Sequence, residues 1–317
     1  MHRRAGITLL AIGLGACQTV TVGQAPASLL TPAPLFGPVI GAEVIGGRTD
    51  DGGEAVWLLA GGSAVVRVDL ETRRAVRTPL KLAPGEQCWG LARLLDGSLW
   101  TLKGRRSVIR IEADGELTRE IPLAAPHFGL FASGERLVYQ QADFIPPAPA
   151  LRAGIPGDEH PQPWSGMTSR TFATLARASA AALNMVSCGS SRAAERACWF
   201  PDEAAVTLID SAGGSRRIAL PELTVVAPEV LLTAENPSRP VRDAFVDESG
   251  ALWVLSSGKA PPAAPERPGG WLLARYDSRG DLLGVRSLSE PVRLILRVKS
   301  GRAMLLTGEG MVAEVTP

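Results

Sequence analysis

The tripeptide Pro-Val-Arg occurs twice in this chain, at 240–242 and at 291–293. A guanidinium presents a planar fork of donors that matches two oxygens of a carboxylate or phosphate, so Arg242 and Arg293 held at one opening would grip an anionic group. His127 supplies a side chain that exchanges protons near neutral pH. With the two arginines it makes the smallest set that would serve a hydrolase or lyase acting on an anionic small substrate. Asp243 follows the first arginine, and either arginine would equally suit a structural ion pair with Glu86, Asp243 or Glu290. Trp89, Phe128, Trp164 and Trp271 add aromatic surface of the kind that anchors partner proteins.

Other chemistry is scarce. The histidines are His2, His127 and His160, and no HExxH, CxxC or histidine cluster marks a metal site. The chain has no GxSxG elbow, no phosphate-binding loop and no GxGxxG opening a helix. No cofactor is expected. Aspartates and glutamates fall mostly at turns and strand ends, where aspartate bonds its own backbone. These features favour a non-catalytic module that binds a protein or ligand, with the hydrolase or lyase as the alternative.

The elements that would position these residues come from a repeat. The stretch EAVWLLAGGSAVVRVDLETRRAVRTPL matches SLWTLKGRRSVIRIEADGELTREIPL, and AFVDESGALWVL with GGWLLARYDSRGDLLGVRSL repeats the pattern near the C-terminus. Trp57 and Trp100 lie 43 residues apart, as do Arg67 and Arg110, so each Trp-to-Arg gap is 10. Short strands of alternating polarity separated by Asp-Gly, Ser-Gly and Gly-Gly turns, at a period of roughly 40–50 residues, read as the four-stranded blades of a β-propeller. Helical periodicity is confined to TFATLARASAAALNM near Ala176. Six middle strands carry Trp57, Trp100, Tyr139, Trp199, Trp253 and Met304, expected to fill the wedges between blades. The last unit supplies three strands, so a strand near Ala27–Leu35 is expected to close the ring. Aligned this way, Trp89, Phe128, Arg242 and Arg293 begin inner strands at one channel mouth, with His127 and Asp243 beside them.

This pattern resembles the NHL-type and related six-bladed propellers of bacterial secreted proteins, over residues 28–317. The resemblance implies that ligands meet the end bearing blade-to-blade connections and second-to-third-strand loops. Insertions are expected on such loops at about 143–170, beginning DFIPPAPALRAGIPGDEHPQPWSG, and at about 258–270, GKAPPAAPERPGG. The turns before Trp100 and Trp253 look superficially like the Asp boxes of sialidases, but the preceding Ser/Thr-x-Asp is missing and that function is not carried over.

The N-terminus reads Arg3-Arg4, an apolar run from Ala5 to Leu14, then Leu14-Gly15-Ala16-Cys17. About 20 apolar residues are needed to cross a bilayer, and this run is too short. It resembles the bacterial lipobox, which implies cleavage of residues 1–16, lipid on Cys17, a flexible linker over 17–27 and a place in the cell envelope, at the outer membrane facing the periplasm. Removing Arg3 and Arg4 from the 33 basic residues leaves 31 against 32 acidic ones, a balance of −1. That charge offers no footprint for nucleic acid, so the expected partners are a membrane through the lipid and an envelope protein or small ligand. In an exported chain disulfides persist, and Cys188 and Cys198 flank a polar loop that a bridge would pin. Cys88 reads as a buried small hydrophobe.

Overall fold

The computed structural model describes residues 31–41, 43–50, 55–141, 149–158, 160–164, 166–172, 175, 177–189, 195–221, 223, 239–257 and 270–316. Strand β1 (Ala33–Phe36) belongs to the last blade. The first blade is β2 (Ile45–Asp50), β3 (Ala55–Ala60), β4 (Ala64–Asp69) and β5 (Arg74–Pro79). The second is β6 (Cys88–Arg93), β7 (Leu99–Lys103), β8 (Ser107–Ile111) and β9 (Leu117–Pro122), and the third is β10 (His127–Ser133), β11 (Arg136–Gln141), β12 (Leu151–Gly154) and β13 (Gln162–Pro163). Helix α1 (Arg177–Leu183) precedes the fourth blade, β14 (Ser187–Cys188), β15 (Glu195–Trp199), β16 (Ala205–Asp210) and β17 (Ser215–Ala219). The fifth is β18 (Arg239–Val246), β19 (Leu252–Ser257), β20 (Trp271–Tyr276) and β21 (Leu282–Leu288). The sixth is β22 (Val292–Lys299), β23 (Arg302–Thr307) and β24 (Val312–Val315), completed on its outer edge by β1. The protein is a six-bladed β-propeller of four-stranded antiparallel blades, closed by pairing Ala33 with Glu314 and Phe36 with Val312.

A twisted sheet has two faces, and in a propeller each is buried against a neighbour. Six apolar clusters occupy the six blade-to-blade interfaces. Leu58 and Val66 of the first blade meet Leu306 and Val312 of the sixth, for example, and Trp253 and Leu255 of the fifth meet Ile295 and Leu305. The strict alternation of side chains along a strand decides which interface each one enters.

That rule explains the 10-residue spacing: Trp57 pairs across the ladder with Arg67, and Trp100 with Arg110. Trp253 likewise pairs with Arg275, whose guanidinium lies 5.2 Å from the Trp253 ring. In two blades the preceding turn also clasps the indole. Trp100 Nε1 donates to Ser98 Oγ at 2.8 Å, and Trp253 Nε1 to Asp247 Oδ2 at 2.9 Å.

Two expectations need qualifying. Tyr139 fills a wedge between blades, but from the side opposite to Trp57, Trp100, Trp199 and Trp253. Those face the following blade, whereas Tyr139 joins Trp100 in the interface with the preceding one, and Val138 faces forward. A register offset of one residue reverses every side chain, and aromatic type alone hid it. Nor is 143–170 simply an insertion. Residues 142–148 lie outside the described residues, but Leu151–Gly154 and Gln162–Pro163 are the third and fourth strands of their own blade. Their proline-rich, weakly alternating sequence masked them. The expected insertion at 258–270 does fall between β19 and β20, and all but its last residue lies outside the described residues.

At the axis the inner strands approach backbone to backbone. A Cβ on Gly90, which has φ +66°, would overlap the Leu130 backbone nitrogen, and one on Gly189 would overlap the Ala244 carbonyl. Arg48 of β2 crosses to the fifth blade, its two terminal nitrogens each 2.6 Å from an Asp243 carboxylate oxygen, and also donates to the Ile295 carbonyl at 2.6 Å. Asp243 in turn accepts the backbone N–H of Ile295 at 2.6 Å and of Ala244 at 2.9 Å. Burial pushes this carboxyl upward and Arg48 pulls it down; four donors are a set that only the ionised carboxylate accepts. Replacing Asp243 by Ala leaves a buried guanidinium uncompensated, and urea unfolding is expected to show a loss of about 3–5 kcal/mol. The double replacement Arg48→Met, Asp243→Leu is expected to lose clearly less than the two single replacements added together.

Candidate functional site

Consecutive antiparallel strands bring the start of each inner strand, the blade-to-blade connections and the second-to-third-strand turns to one end of the ring. Near that end, described inner strands of five blades carry a register shift, between Ile45 and Gly47, Trp89 and Leu91, His127 and Gly129, Arg239 and Asp243, and Val292 and Leu294. A bulge re-aims the side chains around it. Phe128, Arg242 and Arg293 all sit within these shifts, which is why they do not converge on the axis.

The contacts instead divide the expected residues among separate places. Arg293 donates to the carbonyls of Gly308, Gly41 at 2.9 Å and Glu43 at 3.2 Å, tying the sixth blade to the connection that enters the first. Arg242 donates to Ser257 Oγ and lies 5.6 Å from the ring of Trp271, within its own blade. Asp243 belongs to Arg48. Trp164 is buried between the third and fourth blades, 5.8 Å from Phe131, so it is a core residue and no surface anchor. Cys188 and Cys198 are joined in a disulfide across β14 and β15. Cys88 is buried, which pushes its thiol up to about 11 and leaves it a protonated apolar filler. Cys17 lies outside the described residues.

His127 is 3 % exposed, its ring centroid 5.2 Å from that of Tyr139, and neither ring nitrogen completes a hydrogen bond. It lines a cleft of about 230 Å³ with Arg152, His160 and Gln162. Burial lowers its pKa to about 4, against a weak opposing effect of the Ala125 backbone. The ring is therefore neutral at pH 7 and is not poised as an acid–base catalyst near that pH.

Trp89 and Phe128, by contrast, come together around a residue the repeat did not single out. The Arg105 guanidinium lies 4.7 Å from the Trp89 ring and 4.5 Å from the Phe128 ring, held between the two. Arg105 occupies the turn between β7 and β8 with φ +65°, a left-handed conformation that costs a non-glycine residue about 1–2 kcal/mol. The turn is fixed from both sides. Gly104 N–H donates to the Gln87 carbonyl at 3.2 Å, Leu123 N–H to the Arg106 carbonyl at 2.8 Å, and His127 N–H to the Arg105 carbonyl at 2.9 Å.

Around it lies a cleft of about 500 Å³, lined by Glu86, Gln87, Lys103, Arg106 and Glu120 among others. Lys103 sits 3.0 Å from Glu86 and 3.4 Å from Glu120. Glu86 in particular holds the ammonium above its ordinary pKa, and Lys103 holds Glu86 below its own. The signal that could have found Arg105 is the repeat offset itself. Stepping back 43 residues lands on Gly62, φ +69°, in the equivalent turn of the first blade.

No protein-family model matches the sequence, and no curated protein matches it significantly. Solved structures do. A member of the duf4221 family from Bacteroides vulgatus superposes with a TM-score of 0.56 at 10 % identity, over 91 % of this chain and 97 % of that one. A protein of unknown function from Bacteroides thetaiotaomicron gives 0.53 at 10 % identity, over 91 % and 72 %. YCF48, solved with a D1 peptide bound, gives 0.50 at 10 % identity, over 87 % and 81 %. At such identities the likeness is one of fold.

His127 yields a prediction with a definite sign. Its folded pKa is depressed, so between pH 6.5 and 4 the unfolded chain binds more protons and stability falls as the solution is acidified. Over that window His127 is expected to contribute a loss of about 3 kcal/mol. Urea unfolding of a His127→Leu variant should show a distinctly shallower decline than the parent between pH 6.5 and 4.5.

Proposed function

We propose that this protein is a lipid-anchored component of the bacterial cell envelope whose propeller binds a protein partner and performs no catalysis. The observation that carries the binding role is the half-buried Trp89–Arg105–Phe128 stack, beside a cleft at the end of the ring that bears the blade-to-blade connections and the second-to-third-strand turns. Aromatic residues and arginine are the types most enriched where binding energy concentrates. The residues that would have made a hydrolase or lyase are committed elsewhere: Arg242 to Ser257 and Trp271, Arg293 to backbone carbonyls, Asp243 to Arg48, and His127 to a buried, neutral state. A fold neighbour solved with a bound peptide adds that a propeller of this kind accepts one.

The anchor rests on Leu14-Gly15-Ala16-Cys17 and the apolar run before it. Lipid on that cysteine would supply two or more acyl chains, enough for stable attachment. The outer membrane, with the propeller facing the periplasm, is the location this reading assigns.

Intact mass and membrane partitioning of the protein expressed with its own N-terminus, beside Cys17→Ser, test the anchor. The expected result is a diacylated or triacylated N-terminal cysteine in the membrane fraction, lost in the variant. A soluble product indifferent to the substitution overturns it. Crosslinking in intact cells is then expected to capture a neighbouring protein through residues of the loop-bearing end.

A further inference from the structure

We infer that the Trp89–Arg105–Phe128 stack is the receptor for an acidic side chain, a glutamate or aspartate carried on an extended segment of the partner protein. This rests on the proposal that the loop-bearing end of the ring is the binding face.

The charges around the cleft are unevenly satisfied. Lys103 has two carboxylates, Glu86 and Glu120, and the second is also held by Ser107 Oγ at 2.6 Å. Arg105 and Arg106 have no ion pair and no side-chain hydrogen bond among the described residues. Both line the cleft. A guanidinium stacked between two rings keeps its in-plane N–H fork free at the edge, and the rings fix its orientation before any ligand arrives. Immobilising an arginine is a large part of the cost of binding through one, and here the fold has already borne it. The left-handed backbone at Arg105 sharpens the point. The first blade makes the equivalent turn with Gly62, so the turn itself has no need of an arginine.

The same surroundings select the occupant. Glu86 and Glu120 border the cleft and offset two of the three positive charges of Lys103, Arg105 and Arg106, which leaves one charge for a singly charged carboxylate to balance. Recognition of an anionic membrane surface uses clusters of about four to eight basic residues, and here two arginines stand without an acidic partner among the described residues. Trp89 lines the cleft beside Arg105 and gives apolar contact for the stem of a side chain and for its neighbours, which free inorganic anions would leave unused. A peptide with acidic and apolar residues in alternation satisfies both, since an extended chain presents alternate side chains to one surface.

The test is fluorescence anisotropy with the purified full chain in detergent micelles and two labelled, acetylated octapeptides, one alternating Glu with Leu and the other alternating Gln with Leu. The Glu–Leu peptide is expected to bind at least ten-fold more tightly, with an affinity that falls as sodium chloride rises. Arg105→Gly is expected to cost at least ten-fold while the melting temperature stays level or rises, because glycine relaxes in that turn. Arg105→Lys, which keeps the charge and loses the fork, should fall between.

Equal binding of the two peptides, or Glu–Leu binding untouched by Arg105→Gly, overturns the inference. So does displacement by inorganic phosphate or by phosphatidylglycerol vesicles as effective as displacement by unlabelled Glu–Leu peptide. In cells, a crosslinked neighbour captured equally by the parent and by Arg105→Gly overturns the acidic-receptor assignment and leaves the binding-module proposal standing. Arg105-dependent peptide binding without any crosslinked neighbour supports the receptor and counts against an envelope partner.

Discussion

Arg48 reaches across the axis from the first blade to Asp243 of the fifth, and the carboxylate it meets already accepts two backbone N–H groups, one from its own strand and one from the sixth blade. Taking two charges out of water costs several kcal/mol per ion, and the cost is offset only where geometry and hydrogen bonding are complete. The inner strands must therefore stand in fixed relation, with Gly189 lacking any side chain where it meets the Ala244 carbonyl. A centre locked in this way holds no converging anion site of the kind that Arg242 and Arg293 suggest from sequence.

Arginine serves as the fastener throughout the ring. Arg196 of β15 donates to the carbonyls of Gly189 at 2.8 Å and Ala132 at 2.9 Å, linking the fourth blade to the third. Arg170 holds Asp202 at 2.7 Å and Glu203 at 2.9 Å, and Asn184 pins the same segment beside the end of α1. A rigid fork with several donors suits this work better than the single ammonium of lysine. Arg105 differs from these in being stacked between two rings and joined to no acceptor among the described residues.

What the sequence made legible was whatever repeats. The common offset of Trp57 to Trp100 and Arg67 to Arg110 is a ladder pairing copied from blade to blade, and it led to the strand count, the blade count and closure by an N-terminal strand. Where the copy is imperfect, inference from residue type failed. Tyr139 is aromatic in a middle strand yet faces the other neighbour, because nothing in composition distinguishes one face of a doubly buried sheet from the other. The outer half of the third blade was hidden by prolines and a weak alternation. Trp89 and Phe128 both lie against Arg105, and the repeat does not mark that arginine, since it sits in a turn whose counterpart in the first blade is Gly62. Arg48 was out of reach altogether: its partner lies in the fifth blade, and no local pattern announces it.

Pairing β1 with β24 also has a consequence for how the ring is made. Strand β1 is made before every other described strand, and β24, with which it must pair, is made after them. Contacts between such distant parts of a chain form slowly, because loop-closure entropy is spent before the contact returns anything. Until then the sixth blade lacks its outer strand and an open edge is available to other chains. A copy of the ring lacking β1 would therefore carry an unsatisfied sheet edge, and the propeller becomes a closed object only when its first and last described strands have met.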